Sequence, residues 1–340
     1  MSCSPAGPHP LFRMDWDHLD WEALDRLRAA FLDGSAGQRD YWQNERVLAS
    51  YDHTFAQRIG WKWDYVMEQL ERRGWRLPAG ELFDWGCGTG VAGRAVLDWF
   101  GLQGVTGLRV WDRSVLAMEF ARRRAQEKYP ALMPKAGGQG EPFSGTLVVS
   151  HVLTELEGGQ LEELLELAGK ASAVLWVEPG TFEASRRLIE VRERLRHVFG
   201  VVAPCPHQGG CGMALPGNEA HWCHHFASPP PQVFTDPNWG RFAKLAGIDL
   251  RSLPLSYLVL DRRPVRPLPA GTIRVIGRPR IYKPHALVLA CDASGIREER
   301  LSRRVLPEEF RELRKGKLDS LQIWRCGDAG VERVEKVTND

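Results

Sequence analysis

The 340-residue chain has no long uninterrupted run of apolar residues. A transmembrane helix needs about 20 such residues in succession, so the sequence predicts no membrane span. A basic segment followed by an apolar one is also missing near the start, and Asp15, Asp17 and Asp20 argue against an acid-poor transit peptide. We therefore expect a soluble, cytoplasmic protein, and a monomer.

Cysteine is scarce and odd in number, with seven residues in the chain. An intracellular protein keeps its thiols reduced, so a disulfide framework is the weaker explanation for them. These cysteines are therefore considered first as candidate metal ligands.

The net charge is only +2, but it is distributed unevenly. Residues 241–320 contain 18 Lys or Arg against 9 Asp or Glu, which gives +9 there and leaves −7 for the remainder. One interpretation is a solvated arginine-rich surface. The other is a face that meets nucleic-acid backbones, because arginine clusters neutralise phosphates and release counterions.

The pattern of apolar residues divides the chain into parts. Helical spacing before residue 75, as in Trp21, Leu24 and Leu27, predicts packed N-terminal helices. From residue 81, short apolar runs alternate with helical stretches, which is typical of a parallel sheet with crossover helices. The predicted strands are residues 82–84, 108–111, 131–135, 147–150 and 173–177, and the predicted helices begin near Val91, Ser114 and Gln160.

The composition and the apolar pattern of the sequence change after residue 200. Residues 203–237 are rich in Pro, Gly, His and Cys, and irregular segments of this length are uncommon unless something functional orders them. Strands predicted at residues 256–260, 272–276 and 286–290 form a small β-rich unit. We therefore expect four parts: an N-terminal helical region (1–75), a Rossmann-like domain (76–200), a basic, cysteine-bearing module (201–320) and a C-terminal tail (321–340).

A glycine-rich loop follows the first predicted strand, with Asp84 at the strand end and then Gly86, Cys87, Gly88 and Gly90. Alternating glycines let the backbone turn sharply and approach a ligand closely. A carboxylate at the mouth of the site would repel the pyrophosphate of NAD but tolerate the cationic methionine moiety of S-adenosylmethionine. The loop therefore predicts a cofactor site for S-adenosylmethionine on a class I methyltransferase fold, and a tight turn without ligand is the alternative.

Polar residues at the ends of two further strands extend this predicted site. Asp112, followed by Arg113, is the expected ribose ligand, although it can instead cap the helix that starts near Ser114. Ser150 and His151 stand at the carboxyl end of the fourth strand, where ligands of such sheets bind. His151 either contacts cofactor or substrate or is an ordinary loop histidine.

Candidates for catalysis are few. The chain has no Asn-Pro-Pro-aromatic sequence of the kind that holds a flipped base, and no Pro-Cys nucleophile after the fourth strand. Glu178, after the fifth strand, is a candidate base or merely an acid at a helix start, and His151 is the other candidate. Binding of the cofactor would therefore not establish methyl transfer.

Four cysteines in the second half of the chain form a possible metal site: Cys205, Cys211, Cys223 and Cys291. Four thiolates can hold zinc or a [4Fe-4S] cluster, and either would order the irregular segment. The spacing matches neither the short Cys-x2-Cys knuckles of zinc ribbons nor the Cys-x3-Cys-x2-Cys run of radical enzymes. The alternative is that these are loop cysteines without a metal. Zinc is a further possibility, because histidines near the cysteines could also act as zinc ligands.

These segments together resemble the Rsm-type family of small-ribosomal-subunit proteins, whose mitochondrial members are methyltransferase-like assembly factors. The resemblance covers about residues 51–304. It rests on residues 84–90, 112–114, 177–181, 205–207 and 222–224. The Cys-Pro-His and Trp-Cys-His pieces, in this order after a methyltransferase core, are its specific part.

The resemblance implies an iron-sulfur cluster, since four cysteines hold one in that family and correspond by position to Cys205, Cys211, Cys223 and Cys291. It also implies a role on the ribosomal small subunit, near its RNA. Three functions are open: methylation of an RNA base, a non-catalytic cofactor-binding RNA clamp, and a small-molecule or protein methyltransferase with a zinc-stabilised lid.

Overall fold

The computed structural model describes residues 15–35, 40–138 and 140–337. The first fourteen positions of the predicted helical region and the last three of the predicted tail lie outside these ranges. Residues 36–39 and 139 lie outside them as well.

Three helices precede the sheet: α1 (Trp21–Asp33), α2 (Glu45–His53) and α3 (Phe55–Arg72). Asp20 caps α1 by accepting a hydrogen bond from the Ala23 amide at 3.0 Å, which satisfies one of the free N–H groups of the first turn. The apolar faces of α1 and α2 pack together and against Ala117 and Phe120 from farther along the chain. The predicted N-terminal helices are thus confirmed.

The central sheet has eight strands, ordered β3-β2-β1-β4-β5-β8-β6, with β7 paired to β8. They are β1 (Gly80–Trp85), β2 (Val105–Trp111), β3 (Lys135–Ala136), β4 (Thr146–Ser150), β5 (Ala173–Pro179), β6 (Gly200–Ala203), β7 (His225–Ala227) and β8 (Leu253–Asp261). Strands β1 to β5 run parallel, and β8 is antiparallel to each of its neighbours. The predicted Rossmann-like α/β class is confirmed.

Helices connect the parallel strands and cover the sheet. They are α4 (Val91–Phe100), α5 (Val115–Lys128), α6 (Gln160–Ala168) and α7 (Phe182–Leu195). The strand order reverses between β1 and β4, so the carboxyl ends of these two strands flank a crevice. None of the described helices combines the length and the apolar character needed to cross a bilayer.

Two details of the sheet differ from the sequence prediction. The third strand is only the two residues of β3, later than the predicted 131–135. The strand predicted at residues 256–260 lies within β8 and belongs to the central sheet, not to the small β-rich unit. The reason is burial on both sides: Tyr257 and Val259 pack into the core on one face, and Leu258 and Leu260 into the core on the other. A strand that is apolar on both faces needs a layer on each.

The C-terminal part is a closed five-stranded barrel, which follows the short helix α8 (Pro237–Ala246). Its elements are β9 (Thr272–Ile281), β10 (His285–Asp292), β11 (Gly295–Ser302), α9 (Pro307–Arg314), β12 (Leu321–Gly327) and β13 (Gly330–Lys336). The barrel confirms the small β module. However, the predicted tail supplies two of its strands, because Leu321, Trp324 and Val331 are buried in or beside its core.

One buried arginine joins the barrel to the central unit. Arg274 of β9 is 2% exposed. It donates hydrogen bonds to the Pro204 carbonyl at 2.9 Å, to Gln69 Oε1 at 2.6 Å and to Ser320 Oγ at 2.8 Å. A buried guanidinium is tolerated only when its donors are satisfied, so these contacts position the barrel beside α3 and β6.

Candidate functional site

A cavity of about 420 Å³ opens at the crevice between β1 and β4. Seven of the nine residues predicted to bind the cofactor line it: Gly86, Cys87, Gly88, Asp112, Arg113, Ser150 and His151. Its size is within the range of small-molecule and cofactor pockets. Asp84 and Gly90 do not line the cavity and act on it through the loop.

The glycines of the loop are required by both backbone and packing. Gly86 has φ +69°, and a Cβ there would lie 2.5 Å from Cγ1 of Val152. Gly90 has φ +77°, and its Cβ would lie 2.9 Å from the Cβ of Ala121. Both positions combine a conformation that favours glycine with a close approach to a neighbour, so the loop has one accessible shape.

Asp84 contacts the start of the helix that follows the glycine loop. Its carboxylate is fully buried and accepts the Gly93 amide hydrogen at 2.9 Å, in the first turn of α4. Burial raises the pKa of this carboxyl to about 7. The other oxygen, Oδ1, has no hydrogen-bond partner among the described residues. The structure therefore shows Asp84 tying strand β1 to helix α4, where the sequence suggested direct contact with a cationic ligand.

Asp112 lines the cavity and also ties two backbone segments together. One carboxylate oxygen accepts the Gly88 amide hydrogen at 2.9 Å, and the other accepts that of Ser114 at 3.0 Å. Burial raises its pKa. Each carboxylate oxygen has a second lone pair, so these bonds leave acceptor capacity for hydroxyl groups in the cavity.

His151 has an unusual backbone at the cavity wall. It is the one described residue besides glycines with a positive φ, 58°. Its Nε2 lies 3.1 Å from Nζ of Lys62, and its Nδ1 lies 3.2 Å from Oγ of Ser150, which accepts the indole N–H of Trp63 at 3.1 Å. Burial, with Lys62 and Arg58 nearby, holds the imidazole pKa well below its ordinary value, so the ring is neutral.

Two cations from α3 form a wall of the cavity that sequence reasoning missed. Arg58 and Lys62 both line it. Burial, and then the charge of Arg58, lowers the pKa of Lys62 to about 7. The Nε of Arg58 is buried without a hydrogen-bond partner among the described residues. The one available signal was the pair of basic residues four positions apart in a helix.

A carboxylate faces the cavity near Asp112. Glu155 accepts a hydrogen bond from the Tyr41 hydroxyl at 3.3 Å and lies 3.6 Å from Arg113. Burial raises its pKa to about 7. The cavity therefore has carboxylates near the end of β2 and cations along α3.

Glu178, one of the two catalytic candidates, does not line the cavity. It is fully buried, and its Oε1 accepts the Trp176 indole hydrogen at 2.7 Å and the amide hydrogens of Val152 and Leu153 at 3.1 and 3.2 Å. Burial raises its pKa to about 7. These contacts give Glu178 a positioning role, because they hold the chain that follows β4.

The structure brings the four predicted metal ligands to one region between α7 and the barrel. Cys205, Cys211 and Cys223 line a small cavity there, and Cys291 of β10 shares an apolar cluster with Cys211 and Cys223. Burial and the neighbouring thiols raise the pKa of Cys211 to about 11, and those of Cys223 and Cys291 also rise. Within the described ranges, no group of three or more His, Cys, Asp or Glu has the arrangement to hold a metal ion.

Polar groups surround this cysteine region. Arg192 of α7 is 3% exposed and donates from Nε to the Cys205 sulfur at 3.1 Å. The hydroxyls of Ser185 and Ser256 each donate to the Cys223 carbonyl at 2.7 Å. The region is thus supplied with N–H and O–H donors from both α7 and β8.

Comparison with known proteins gives one family. A family model described as mitochondrial small ribosomal subunit Rsm22 matches residues 67–318. No curated protein matches the chain.

Several solved methyltransferase structures resemble parts of the chain. The magnesium protoporphyrin IX methyltransferase of Synechocystis with bound S-adenosylhomocysteine is 14% identical, over 71% of this chain and 99% of that one, with a TM-score of 0.37. The plantazolicin methyltransferase is 12% identical, over 72% and 100%, with a TM-score of 0.39. An O-methyltransferase of neocarzinostatin biosynthesis is 17% identical, over 53% and 66%, with a TM-score of 0.39.

Proposed function

The chain belongs to the Rsm22 family of mitochondrial small ribosomal subunit proteins, and we propose that it binds S-adenosylmethionine and acts on the RNA of the ribosomal small subunit. The observation that carries the cofactor assignment is the cavity at the strand-order reversal, walled by the glycine loop and by Asp112. The monomeric state and cytoplasmic location expected from the sequence remain predictions.

The chemistry of the cavity walls suits the cofactor's two ends. Asp112 offers acceptor lone pairs to the ribose hydroxyls, and Gly86 and Gly88 let the backbone approach without a side chain. Arg58 and Lys62 offer positive charge to the carboxylate of the methionine moiety. Protonated Lys62 would gain a partner there, which offsets the burial that lowers its pKa.

A titration with S-adenosylhomocysteine tests the cofactor assignment. We expect the wild type to bind and Asp112→Asn to bind about tenfold more weakly, because an amide replaces one acceptor oxygen with a donor. Asp98→Asn is the matched control, since that side chain is 46% exposed and paired with Lys128 on the surface. Absence of binding by the wild type would overturn the assignment.

We propose that Cys205, Cys211, Cys223 and Cys291 hold a [4Fe-4S] cluster. The four thiols face a shared region, and the buried Arg192 N–H directed at one sulfur would stabilise a thiolate. Four cysteine thiolates are the usual ligand set of such a cluster, and zinc is the alternative for the same four sulfurs. When bound, the cluster would order residues 203–237 by cross-linking them to α7 and the barrel.

Metal analysis distinguishes an iron-sulfur cluster from a zinc site. We expect anaerobically purified wild type to contain iron and acid-labile sulfide, and Cys291→Ser to lose most of both. Cys326→Ser is the control, because Cys326 is exposed and outside this region. A colourless wild type that contains zinc and no iron would contradict the cluster.

For the RNA, the support is the charge of residues 241–320, which form α8, β8 and most of the barrel. The +9 charge of this stretch suits a phosphate backbone, and the binding should weaken steeply with salt. Binding of purified small subunits that does not respond to salt would contradict an electrostatic contact with RNA.

Methyl transfer to the RNA is a second candidate function, and the strained, neutral His151 at the cavity wall favours it. Strained residues cluster at active sites, and a neutral imidazole can donate or accept a hydrogen bond that orients a substrate. Labelled S-adenosylmethionine should then transfer tritium to purified small subunits, and His151→Ala should lower that transfer while leaving S-adenosylhomocysteine bound. Cofactor binding without transfer would leave the RNA clamp.

A further inference from the structure

The barrel has a specific connectivity. Strands β9, β10 and β11 form an antiparallel meander, β13 pairs in parallel with β11, and β12 returns between β13 and β9. Helix α9 lies in the chain between the third and fourth strands. This is the arrangement of an OB-fold, a five-stranded Greek-key barrel whose second and third strands commonly form the ligand-binding face.

One end of that face is already covered in this protein. The second and third strands are β10 and β11, and their outward residues near one end are Leu289, Cys291 and Ile296. These side chains pack with Cys211 and Met213 in the cysteine region. The opposite end of the face lies beside the turn between β9 and β10, where Ile281, Tyr282 and Lys283 are exposed.

An aromatic side chain stands at this open end. Tyr282, in the β9–β10 turn, is 47% exposed although it is a large hydrophobic residue. Its ring stacks on that of His285, with ring centroids 5.1 Å apart and planes 27° apart. The histidine therefore holds the tyrosine in one orientation, which lowers the entropic cost of stacking a further ring on it.

Cations surround the tyrosine. Residues 278–304 contain seven Lys or Arg and three Asp or Glu, a net charge of +4. The three acids are all paired within the barrel, Glu298 with Arg280, and Asp292 and Glu299 with Arg297. The exposed cations near the turn include Lys283, Arg300, Arg303 and Arg304.

We propose that this open end of the barrel binds single-stranded RNA, with one base stacked on Tyr282 and phosphates on the neighbouring cations. We name it the Tyr282 surface, formed by Arg280, Tyr282, Lys283, Arg300, Arg303 and Arg304. That the ligand is RNA rests on the proposed function. That the RNA is single-stranded follows from the exposed ring of Tyr282. An exposed ring can stack on a splayed base, but bases inside an A-form duplex present no free face.

Fluorescence polarisation on the full chain tests the proposal, with a labelled oligouridine of about 12 nucleotides, within the site sizes known for OB-folds, and a duplex RNA of equal length. We expect Tyr282→Ala to weaken oligouridine binding about tenfold and Tyr282→Phe to keep it, because the stacking ring is retained. Arg325→Ala is the matched control, since Arg325 is an exposed arginine on β12 of the same barrel. Circular dichroism should show all three variants folded.

Salt dependence tests the cations of the Tyr282 surface separately. Each phosphate contact contributes about −0.7 to the slope of log affinity against log salt for single strands. Replacing Arg303 and Arg304 together with alanine should therefore reduce the slope by about 1.4.

The outcomes separate this surface from the proposed function. If the wild type binds oligouridine with a salt-dependent affinity but Tyr282→Ala binds equally well, the Tyr282 surface is wrong and an RNA contact elsewhere remains. If the wild type prefers the duplex, the single-stranded assignment is wrong. If it binds neither RNA, both this surface and the RNA part of the proposed function fall, while cofactor binding is tested independently by S-adenosylhomocysteine titration.

Discussion

Replacing Gly86 with alanine perturbs the glycine loop at its most constrained position. The residue has φ +69°, and an added Cβ would lie 2.5 Å from Cγ1 of Val152. Val152 is β-branched and only 7% exposed, so its side chain has little room to turn away. We expect the loop itself to move, and with it the backbone of Gly86, Cys87 and Gly88 that lines the cavity.

The expected cost has two parts. A left-handed conformation costs an L-residue about 1–2 kcal/mol. Forcing an extra carbon into a packed site costs about 1–3 kcal/mol more. Gly74→Ala provides a control for the first part, because Gly74, just after α3, has φ +62° and no atom within 4 Å of the added Cβ. The difference between the two variants therefore measures the clash with Val152.

Urea unfolding and titration with S-adenosylhomocysteine are the two assays. We expect Gly86→Ala to lose about 1–3 kcal/mol more unfolding free energy than Gly74→Ala. We also expect its cofactor affinity to fall at least about tenfold, which corresponds to 1.4 kcal/mol, while Gly74→Ala binds normally. Adding Val152→Ala to Gly86→Ala should recover part of the loss, because it removes the atom that the new Cβ meets.

The reasoning would be refuted if Gly86→Ala and Gly74→Ala had equal stability and equal cofactor affinity. It would also be refuted if Val152→Ala made the double variant worse by the full sum of the single effects. Additivity of that kind would mean that residues 86 and 152 do not interact.

Three further predictions concern buried charges. The pKa of Lys62 is about 7 in the folded protein and about 10.4 in the unfolded chain. Between these pH values the unfolded chain binds more protons, so wild-type stability rises with pH. In urea unfolding, Lys62→Met should therefore be more stable than the wild type below pH 7, and this advantage should be gone near pH 10. Asp84 has a raised pKa of about 7, so wild-type stability falls as pH rises from about 4 to 7, and Asp84→Asn should be more stable than the wild type at pH 8 but not at pH 4. Arg274→Met should cost about 3 kcal/mol or more, because it leaves the hydrogen-bond acceptors of a fully buried guanidinium unpaired, and should expose the segment between β8 and β9 to limited proteolysis.

Each of these has an outcome that would contradict it. A pH-independent difference between Lys62→Met and wild type would show that the lysine keeps its ordinary pKa. Equal stability of Asp84→Asn and wild type at pH 8 would do the same for the aspartate. An Arg274→Met variant as resistant to protease as the wild type would show that the barrel is held in place by other contacts.

The shape of the glycine loop was largely predictable because its signal is local. Gly86 and Gly90 follow a strand within a few residues, and their positive φ values are what the glycine pattern indicates. Asp112 was predicted in the same way, from its place at a strand end. The role of Asp84 was not, because only the packing of α4 on β1 brings the Gly93 amide to its carboxylate.

Local sequence patterns did not predict the cations at the cavity or the place of β8 in the sheet. Arg58 and Lys62 face the cavity only once α3 packs against the sheet, and no residue adjacent in sequence indicates that. Strand β8 looked like part of a separate unit because its place in the sheet depends on pairing with β5, which precedes it by more than seventy residues.

By itself, the sequence determined what short stretches of backbone require: the glycine turn after β1, the alternation of strands and helices, and the number and spacing of the thiols. The tertiary structure alone decided which distant pieces meet. It placed β8 antiparallel to β5 and paired β6 and β7 with β8. It also closed the barrel with the last two strands and brought Cys291 to the other three cysteines. The physical reason is that such contacts are selected by burial of surfaces on both partners, and a single segment carries only half of that information.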